Sequence, residues 1–209
     1  MVKGSTKDYK EQGTIPWEYK GLGFWRSLWL SWIEIIVSPK AFFSRMPRNM
    51  AVAAPFFFFI VCFCIYFASQ VLLSFLRPDS DISDTIRDEL VIGFPVLLAT
   101  VFLTSFILYF FLRLFRIKDA WQNVFRVVCY VDAAIMPFGI IPFLGMPLGV
   151  IWGLVLIIIA VRQVFKLSVL KAILACLFSL LVFIGFLTGA FVLFFRVAGL
   201  RLPVFMPGR

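Results

Sequence analysis

The segment from Arg126 to Ala172 decides how the rest of the chain is interpreted: RVVCYVDAAIMPFGIIPFLGMPLGVIWGLVLIIIAVRQVFKLSVLKA. It carries one carboxylate, Asp132, inside an apolar run, followed by Pro137, Pro142 and Pro147. Proline removes a helical hydrogen bond, so in a membrane it is best tolerated near the apex of a hairpin. The segment therefore predicts a membrane hairpin with its prolines at the turn.

The returning half of this hairpin carries glycines at four-residue spacing, at Gly145, Gly149 and Gly153. On a helix they share one face, which lets a neighbouring helix approach closely. Two interpretations fit this face, ordinary helix packing and a groove for a ligand. Trp152 lies on the same helix, and its indole N–H needs a hydrogen-bond acceptor.

Composition assigns the fold class. Hydrophobic residues make up 62%, charged residues 15%, and the mean hydropathy is +1.00, far outside the soluble range. Several apolar runs of about twenty residues are long enough to cross a hydrocarbon core of about 30 Å as helices. The sequence therefore predicts an all-α integral membrane protein.

Charge and residue content exclude several functions. The net charge of +9 would suit a nucleic-acid partner in a soluble protein, but here the basic residues cluster at the ends of apolar runs, where anionic headgroups lie. We therefore expect no nucleic-acid partner. The absence of histidine excludes metalloprotease, haem-histidine and catalytic-triad mechanisms that use it, and we expect neither a cofactor nor a metal.

The expected organisation is a flexible tail at 1–23, interfacial amphipathic helices at 24–50, a five-span domain at 51–195 and a tail at 196–209. The predicted spans are 51–75, 91–112, 127–143, 147–165 and 172–195. Between the first two spans, the acidic segment 76–90 is expected to be a solvated loop. The hairpin is slightly short, since residues 127–161 number 35 and two crossings need about 40. Two short crossings of a thinned bilayer are favoured over a re-entrant hairpin.

The segment Phe24–Val37 is too short to span, and its projection separates two faces. A narrow polar stripe holds Ser27, Ser31 and Glu34, whereas a broad apolar face includes Trp25, Trp29 and Trp32. Tryptophan favours the headgroup boundary, so we expect this helix in the interface plane. The alternative is a helix packed beneath the bundle.

A second short helix is predicted to open at Pro39, after Ser38. Its Phe42 and Phe43 lie among the cations Lys40, Arg45 and Arg48. This pattern is typical of a membrane anchor that sinks its rings and keeps its cations at phosphate level.

The distribution of Lys and Arg predicts the orientation. With the N-terminus inside, 15 basic residues fall on the cytoplasmic side and 5 on the other. We therefore expect a multi-pass protein of the cell membrane with a cytoplasmic N-terminus and an extracytoplasmic C-terminus.

Asp132 is the one ionisable residue that the sequence places clearly inside a span. It lies six residues past Arg126, about 9 Å deeper along a helix. Without a partner, burial favours its neutral acid, whereas a snorkelling Arg162 or Lys166 from the antiparallel helix would keep it charged. Two roles stay open, a satisfied structural carboxylate and a member of a proton, ion or lipid-headgroup path.

Several motifs together resemble the Yip (Ypt-interacting protein) domain family, particularly its short bacterial members. They are, in order, SPKAFF at 38–43, Tyr130, Pro137, IPFLG at Ile141–Gly145, Ile151-Trp152 and RQVFKLSVLKA at Arg162–Ala172. The resemblance covers roughly Pro39 to Phe195. It implies a five-span helical membrane domain with a cytoplasmic N-terminus and no known catalytic activity.

Eukaryotic relatives in this family are linked to vesicle traffic and Rab-type GTPases through a longer cytosolic N-terminal region. We expect this chain to lack that region, and we therefore expect no GTPase partner. Three functions remain. A noncatalytic scaffold or adaptor would bind a second copy or another membrane protein through glycine-rich helix faces, among them Gly185 and Gly189. A small transporter, channel or lipid-handling protein would use Asp132. A membrane enzyme is disfavoured, since one buried aspartate lacks a second acid.

Overall fold

A computed structural model describes residues 8–48, 50–75, 82–117, 121–141 and 144–197, and the side chains of 9–189 within these ranges except that of residue 146. Its α-helices in chain order are α1 (Asp8–Glu11), α2 (Phe24–Val37), α3 (Pro39–Ser44), α4 (Ala53–Ser74), α5 (Ile82–Arg87), α6 (Phe94–Leu114), α7 (Trp121–Ile135), α8 (Gly145–Phe165) and α9 (Val169–Val197). Single turns of 3₁₀-helix lie at Pro16–Glu18 and Met136–Ile140. In the described part of the chain every regular element is a helix.

Five of these helices are long and apolar enough to span a membrane, as the sequence predicts: Ala53–Ser74, Ile82–Leu114, Trp121–Ile140, Pro147–Phe165 and Val169–Gly189. The third is the central helix of the bundle. In its apolar window 67% of the residues are buried inside the protein, against 17–33% in the other four. The other spans present most of their apolar surface outward, where lipid replaces the protein core.

The hairpin helix begins at Trp121, six residues before the predicted start at 127. With its 3₁₀ turn it runs 20 residues to Ile140, which is long enough to cross a hydrocarbon core. The start is earlier because Asn123 and Arg126 are buried in the protein and therefore need not lie at a membrane surface. Pro137 sits in the 3₁₀ turn, Pro147 lies in the first turn of α8, and Pro142 lies outside the described residues.

The acidic segment after the first span differs from the expected solvated loop. Residues 82–93 form helix α5 and a π-helical turn, Asp88–Gly93, that run directly into α6. Residues 76–81 lie outside the described chain. A continuous helix at 82–114 carries Asp84, Asp88 and Glu89 along the bundle, and Glu89 is half-buried there.

Candidate functional site

One face of α7 carries Arg126, Tyr130 and Ala134 at four-residue spacing. Arg126 is fully buried, and its Nη2 lies 2.6 Å from Oε1 of Glu18. Its Nη1 donates to the carbonyl oxygen of Ala51 at 2.7 Å. The hydroxyl of Tyr130 donates to the same Glu18 Oε1 at 2.8 Å. A carboxylate from the N-terminal segment is thus held by two buried side chains of the central helix.

Arg126 corrects an expectation from the sequence, which counts it among the basic residues that flank a span. The structure places it inside the apolar helix Trp121–Ile140, fully buried and ion-paired with Glu18, so Asp132 is not the only charged residue in that helix. Of the three guanidinium nitrogens of Arg126, Nε alone has no hydrogen-bond partner among the described residues. A buried ion pair of this kind needs close geometry and further hydrogen bonds, because removing both charges from water costs several kcal/mol.

The N-terminal segment is packed where the sequence predicts a flexible tail. Tyr9 and Ile15 are buried, and the indole Nε1 of Trp17 donates to the carbonyl oxygen of Ala54 at 2.7 Å. Burial of these apolar side chains stabilises the packing of residues 9–18 against the bundle, and this packing also buries Glu18. The polar and charged residues of this segment favour a flexible tail, but its aromatic residues pack against the protein.

A second charged cluster fastens this segment to α2 and α3. Glu34 accepts hydrogen bonds from the Tyr9 hydroxyl and from Arg45 Nη2, each at 2.6 Å. Burial, reinforced by the hydrogen bond to the Glu34 carboxylate, raises the pKa of Tyr9 to about 12. Tyr9 therefore stays a neutral donor at physiological pH.

Helix α2 has the predicted bounds but faces the other way from a helix lying free on the membrane. Ser27, Ser31 and Ile35 are buried against the protein, so the polar stripe lies inward. Trp25 and Trp29 are exposed, as an interfacial anchor requires, whereas Trp32 is half-buried and its Nε1 donates to the carbonyl oxygen of Ala134 at 3.1 Å. The structure thus combines both sequence interpretations, a helix packed on the bundle with two tryptophans pointing away from it.

Helix α3 also packs inward. Pro39 opens it as predicted, but Phe42 and Phe43 are buried in the protein core. The Phe42 ring lies edge-on to Tyr130 at a centroid distance of 5.3 Å. These two phenylalanines are therefore protein contacts and not the lipid anchors that the sequence suggests.

Asp132 lies on the opposite face of α7, about 200° from Tyr130 at 100° per residue. It lines a half-open cavity of about 400 Å³ formed by α4, the π-helical turn, α6, α7, the 3₁₀ turn Met136–Ile140 and α8. The lining residues are Phe63, Tyr66, Glu89, Gly93, Leu97, Thr100, Asp132, Ile135, Met136, Gly139, Gly145, Gly149 and Val150. This volume is in the range of small-molecule sites, about 300–1,000 Å³.

Asp132 has no hydrogen bond or ion pair with any residue that the structure describes. Its predicted partners, Arg162 and Lys166, are exposed. Gly153 of α8 packs beside Ile135, which places Arg162 about 9 Å from the level of Asp132 along the antiparallel helices at 1.5 Å per residue. The carboxylate therefore faces the cavity without a cation from the described chain.

The α8 glycine stripe packs inside the protein. A Cβ on Gly145 would overlap the carbonyl oxygen of Phe138, and one on Gly149 would lie 3.3 Å from the Phe138 Cβ. A Cβ on Gly153 would lie 3.3 Å from Ile135 Cδ1. The stripe lets the two arms of the hairpin touch, and Gly145 and Gly149 also line the cavity, so packing and cavity lining coexist.

Trp152 is half-buried on α8, and its indole nitrogen has no hydrogen-bond partner among the described residues. It does not line the cavity, and it makes no hydrogen bond to the Glu18 cluster. Of the residues singled out from the sequence, the structure therefore brings Asp132, Gly145 and Gly149 to the cavity and Tyr130 to the Glu18 cluster.

Sequence reasoning missed Glu18, Arg126 and Glu89. For Glu18, the available signal was its position among apolar and aromatic residues in Ile15-Pro16-Trp17-Glu18-Tyr19. For Arg126, it was the four-residue spacing that places it on the same helix face as Tyr130. Glu89 lies one residue before the apolar run, where no pattern separates a solvated carboxylate from one that lines a cavity.

Comparison with known proteins gives a family and no individual relative. No curated protein and no solved structure matches the chain. The family model of the Yip1 domain matches residues 33–190, which is most of the sequence and includes the whole of the cavity lining. The chain is a member of the Yip1 domain family of membrane proteins.

Proposed function

We propose that this protein is a noncatalytic membrane protein that holds the polar group of a lipid or other amphiphile in the Asp132 cavity. One observation carries the proposal: Asp132 lines a cavity of about 400 Å³ and has no partner among the described residues. It favours the lipid-handling interpretation of the sequence over a paired structural carboxylate.

An unpaired carboxyl group inside a membrane bundle costs free energy. A bound polar group that donates a hydrogen bond to Asp132 offsets this cost. The rest of the lining is mainly apolar, with Phe63, Leu97 and Ile135 as examples, and it suits an alkyl chain. A cavity of this composition matches an amphiphile better than a water-soluble molecule.

Catalysis has less support. The chain has no histidine to act as a base, and the described residues contain no group of three metal-ligating side chains. The residues that line the cavity supply acids and hydroxyls, which can bind a ligand without reacting with it.

The test is lipid retention by the purified protein, measured with native mass spectrometry after extraction into a mild detergent. We expect the wild type to carry a bound amphiphile and Asp132→Asn to lose it. Asp84→Asn is the matched control, because Asp84 is an exposed carboxylate that pairs with Arg87 of the same helix, α5. Equal retention in all three proteins would overturn the proposal.

A second function, scaffolding by association of helices, is favoured by the free face of α9. A Cβ on Gly185 or Gly189 would meet nothing within 4 Å, so none of the described residues packs against this small-residue pair. Such a pair permits close approach of another membrane helix. Because the α8 glycines already pack within the protein, α9 is the face through which we expect a second copy or another membrane protein to bind.

Crosslinking in native membranes tests this second function. We expect the double variant Gly185→Leu/Gly189→Leu to lose a dimer or a fixed partner. Leu187→Phe, which adds bulk to an exposed residue on the other side of α9, should retain it. A crosslinking pattern unchanged by the double variant would remove α9 as the contact face.

We further propose that the protein lies in the cell membrane with its N-terminus in the cytoplasm. Five basic residues at the ends of α6, α8 and α9 support this orientation: Arg113, Arg116, Arg162, Lys166 and Lys171, all exposed. A C-terminal alkaline phosphatase fusion should be active and a C-terminal green fluorescent protein fusion dark. The reverse pattern would invert the topology.

A further inference from the structure

The cavity that holds Asp132 is lined by a second carboxylate, Glu89, from the π-helical turn Asp88–Gly93. This turn interrupts the regular helix just before α6, and such turns occur often at functional sites. The Tyr66 hydroxyl lies 3.4 Å from Glu89 Oε1, at the long end of hydrogen-bond distances. The cavity therefore contains two acids, and one of them has a weak donor.

No lysine or arginine belongs to the described lining of this cavity. Two carboxylates in a low-dielectric space repel each other when ionised, and each is costly without a counter-charge. The lining offers no cation to remove this cost. A ligand that brings one positive charge would interact favourably with both acids.

We propose that the cavity selects a protonated primary amine on an apolar chain, bound between Asp132 and Glu89. This inference rests on the proposed function and names the polar group of its amphiphile. An ammonium group has three N–H donors for the two carboxylates and the hydroxyl oxygens of Tyr66 and Thr100. An anionic headgroup would instead add a third negative charge.

A metal ion fits the lining less well. Calcium takes about six to eight oxygen ligands and magnesium about six, and both bind poorly to apolar walls. The described lining provides two carboxylates and two hydroxyls among mostly apolar side chains. An alkylammonium group needs fewer oxygens, and its chain benefits from the same apolar surface.

The experiment compares three probes of equal chain length, dodecylamine, dodecanol and dodecanoate, by native mass spectrometry of the full-length protein. At neutral pH the amine is protonated, as a lysine side chain is. We expect the protein to retain dodecylamine about tenfold or more over dodecanol, because charge-assisted hydrogen bonds are the stronger ones, and to exclude dodecanoate. Because this comparison uses the wild-type protein, it does not depend on the folding of any variant.

Variants then locate the binding. Asp132→Asn and Glu89→Gln should each reduce dodecylamine retention about tenfold, whereas Asp84→Asn should leave it unchanged. Equal retention of dodecanol and dodecylamine, both lost in Asp132→Asn, would overturn the amine inference and leave the proposed function standing. Retention of neither probe, with no amphiphile carried by the wild type, would overturn both.

Two sources of the amine give different results in a competition arm. If phosphatidylethanolamine displaces dodecylamine and phosphatidylglycerol does not, the amine belongs to a lipid headgroup. If neither lipid displaces it, the amine comes from a free alkylamine. Displacement by phosphatidylglycerol alone would contradict selection for an ammonium group.

Discussion

The two faces of α7 treat a buried charge in opposite ways. On one face, Arg126 is paired with Glu18 at 2.6 Å, and Tyr130 adds a hydrogen bond at 2.8 Å. On the other, Asp132 faces a cavity without a partner among the described residues. In the first arrangement the donors and the acceptor bind one another and stabilise the fold. The second leaves an acceptor available for something that the chain does not supply.

A charged residue inside a membrane helix is not by itself evidence of a functional site. Such residues are expensive in either case, so the informative property is whether a partner satisfies them. Arg126 is paired with a residue more than a hundred positions away in the chain, whereas no described residue pairs with Asp132. Substitution of Arg126 should therefore mainly lower the stability of the protein, whereas substitution of Asp132 should mainly weaken ligand binding.

The largest effect is expected for Arg126→Ala. It leaves Glu18 buried without its counter-ion, so the free energy of unfolding should fall by about 3–5 kcal/mol. Unfolding by sodium dodecyl sulphate in mixed micelles, followed by circular dichroism, measures it. The control is Glu18→Gln combined with Arg126→Met, which removes both charges and should recover much of the loss. A cost of only about 1 kcal/mol for Arg126→Ala, typical of an exposed pair, would contradict a buried one.

A smaller loss is expected for Tyr130→Phe, about 1.5–3 kcal/mol, because one hydrogen bond to a charged group disappears. The ring contacts of Tyr130 with Phe42 and Phe58, each at 5.3 Å between centroids, remain. The same micelle titration measures it. Tyr66→Phe is the matched control on the cavity face, where the hydroxyl makes only the 3.4 Å contact to Glu89. Equal losses in the two variants would erase the distinction between the faces.

The smallest effect on stability is expected for Asp132→Asn, within about 0.5 kcal/mol of the wild type, because no partner in the described chain is lost. The amide has nearly the same shape and keeps an acceptor oxygen toward the cavity. A loss above about 2 kcal/mol in the same titration would show that Asp132 makes a structural contact. It would then resemble Arg126, and the case for a binding site would weaken.

Sequence patterns predicted the helices well and their surroundings less well. Helix α2 has the predicted bounds, α3 begins at the predicted Pro39, and five helices of the described chain are long and apolar enough to span a membrane, because apolar run length and the conformation of proline act locally. The orientation of α2 is harder to predict, since a stripe of small serines can face either water or the protein. In the structure it faces the protein, where Ser27 Oγ donates to the Gly23 carbonyl oxygen of its own turn and Ser31 Oγ has no partner among the described residues. Phe42 and Phe43 show the same ambiguity, because phenylalanine is suited both to lipid and to a protein core.

The candidate site was predicted in part. Asp132 and the α8 glycines were identified from the sequence, since a carboxylate in an apolar run and a regular glycine spacing are both conspicuous. Glu89 was assigned to a solvated loop because its neighbours are charged. Only the continuation of α6 into a π-helical turn brings it to the cavity, and that depends on how the helices pack.

The sequence by itself determined the membrane class, the number of spans and the position of the hairpin, because apolar runs and prolines constrain each segment wherever it lies. The tertiary structure alone decided which charges are paired. Glu18 meets Arg126 across 108 positions of sequence, and Arg162 fails to reach Asp132 although both belong to one hairpin. A charge is satisfied by its neighbours in space, and only the packed bundle specifies those neighbours.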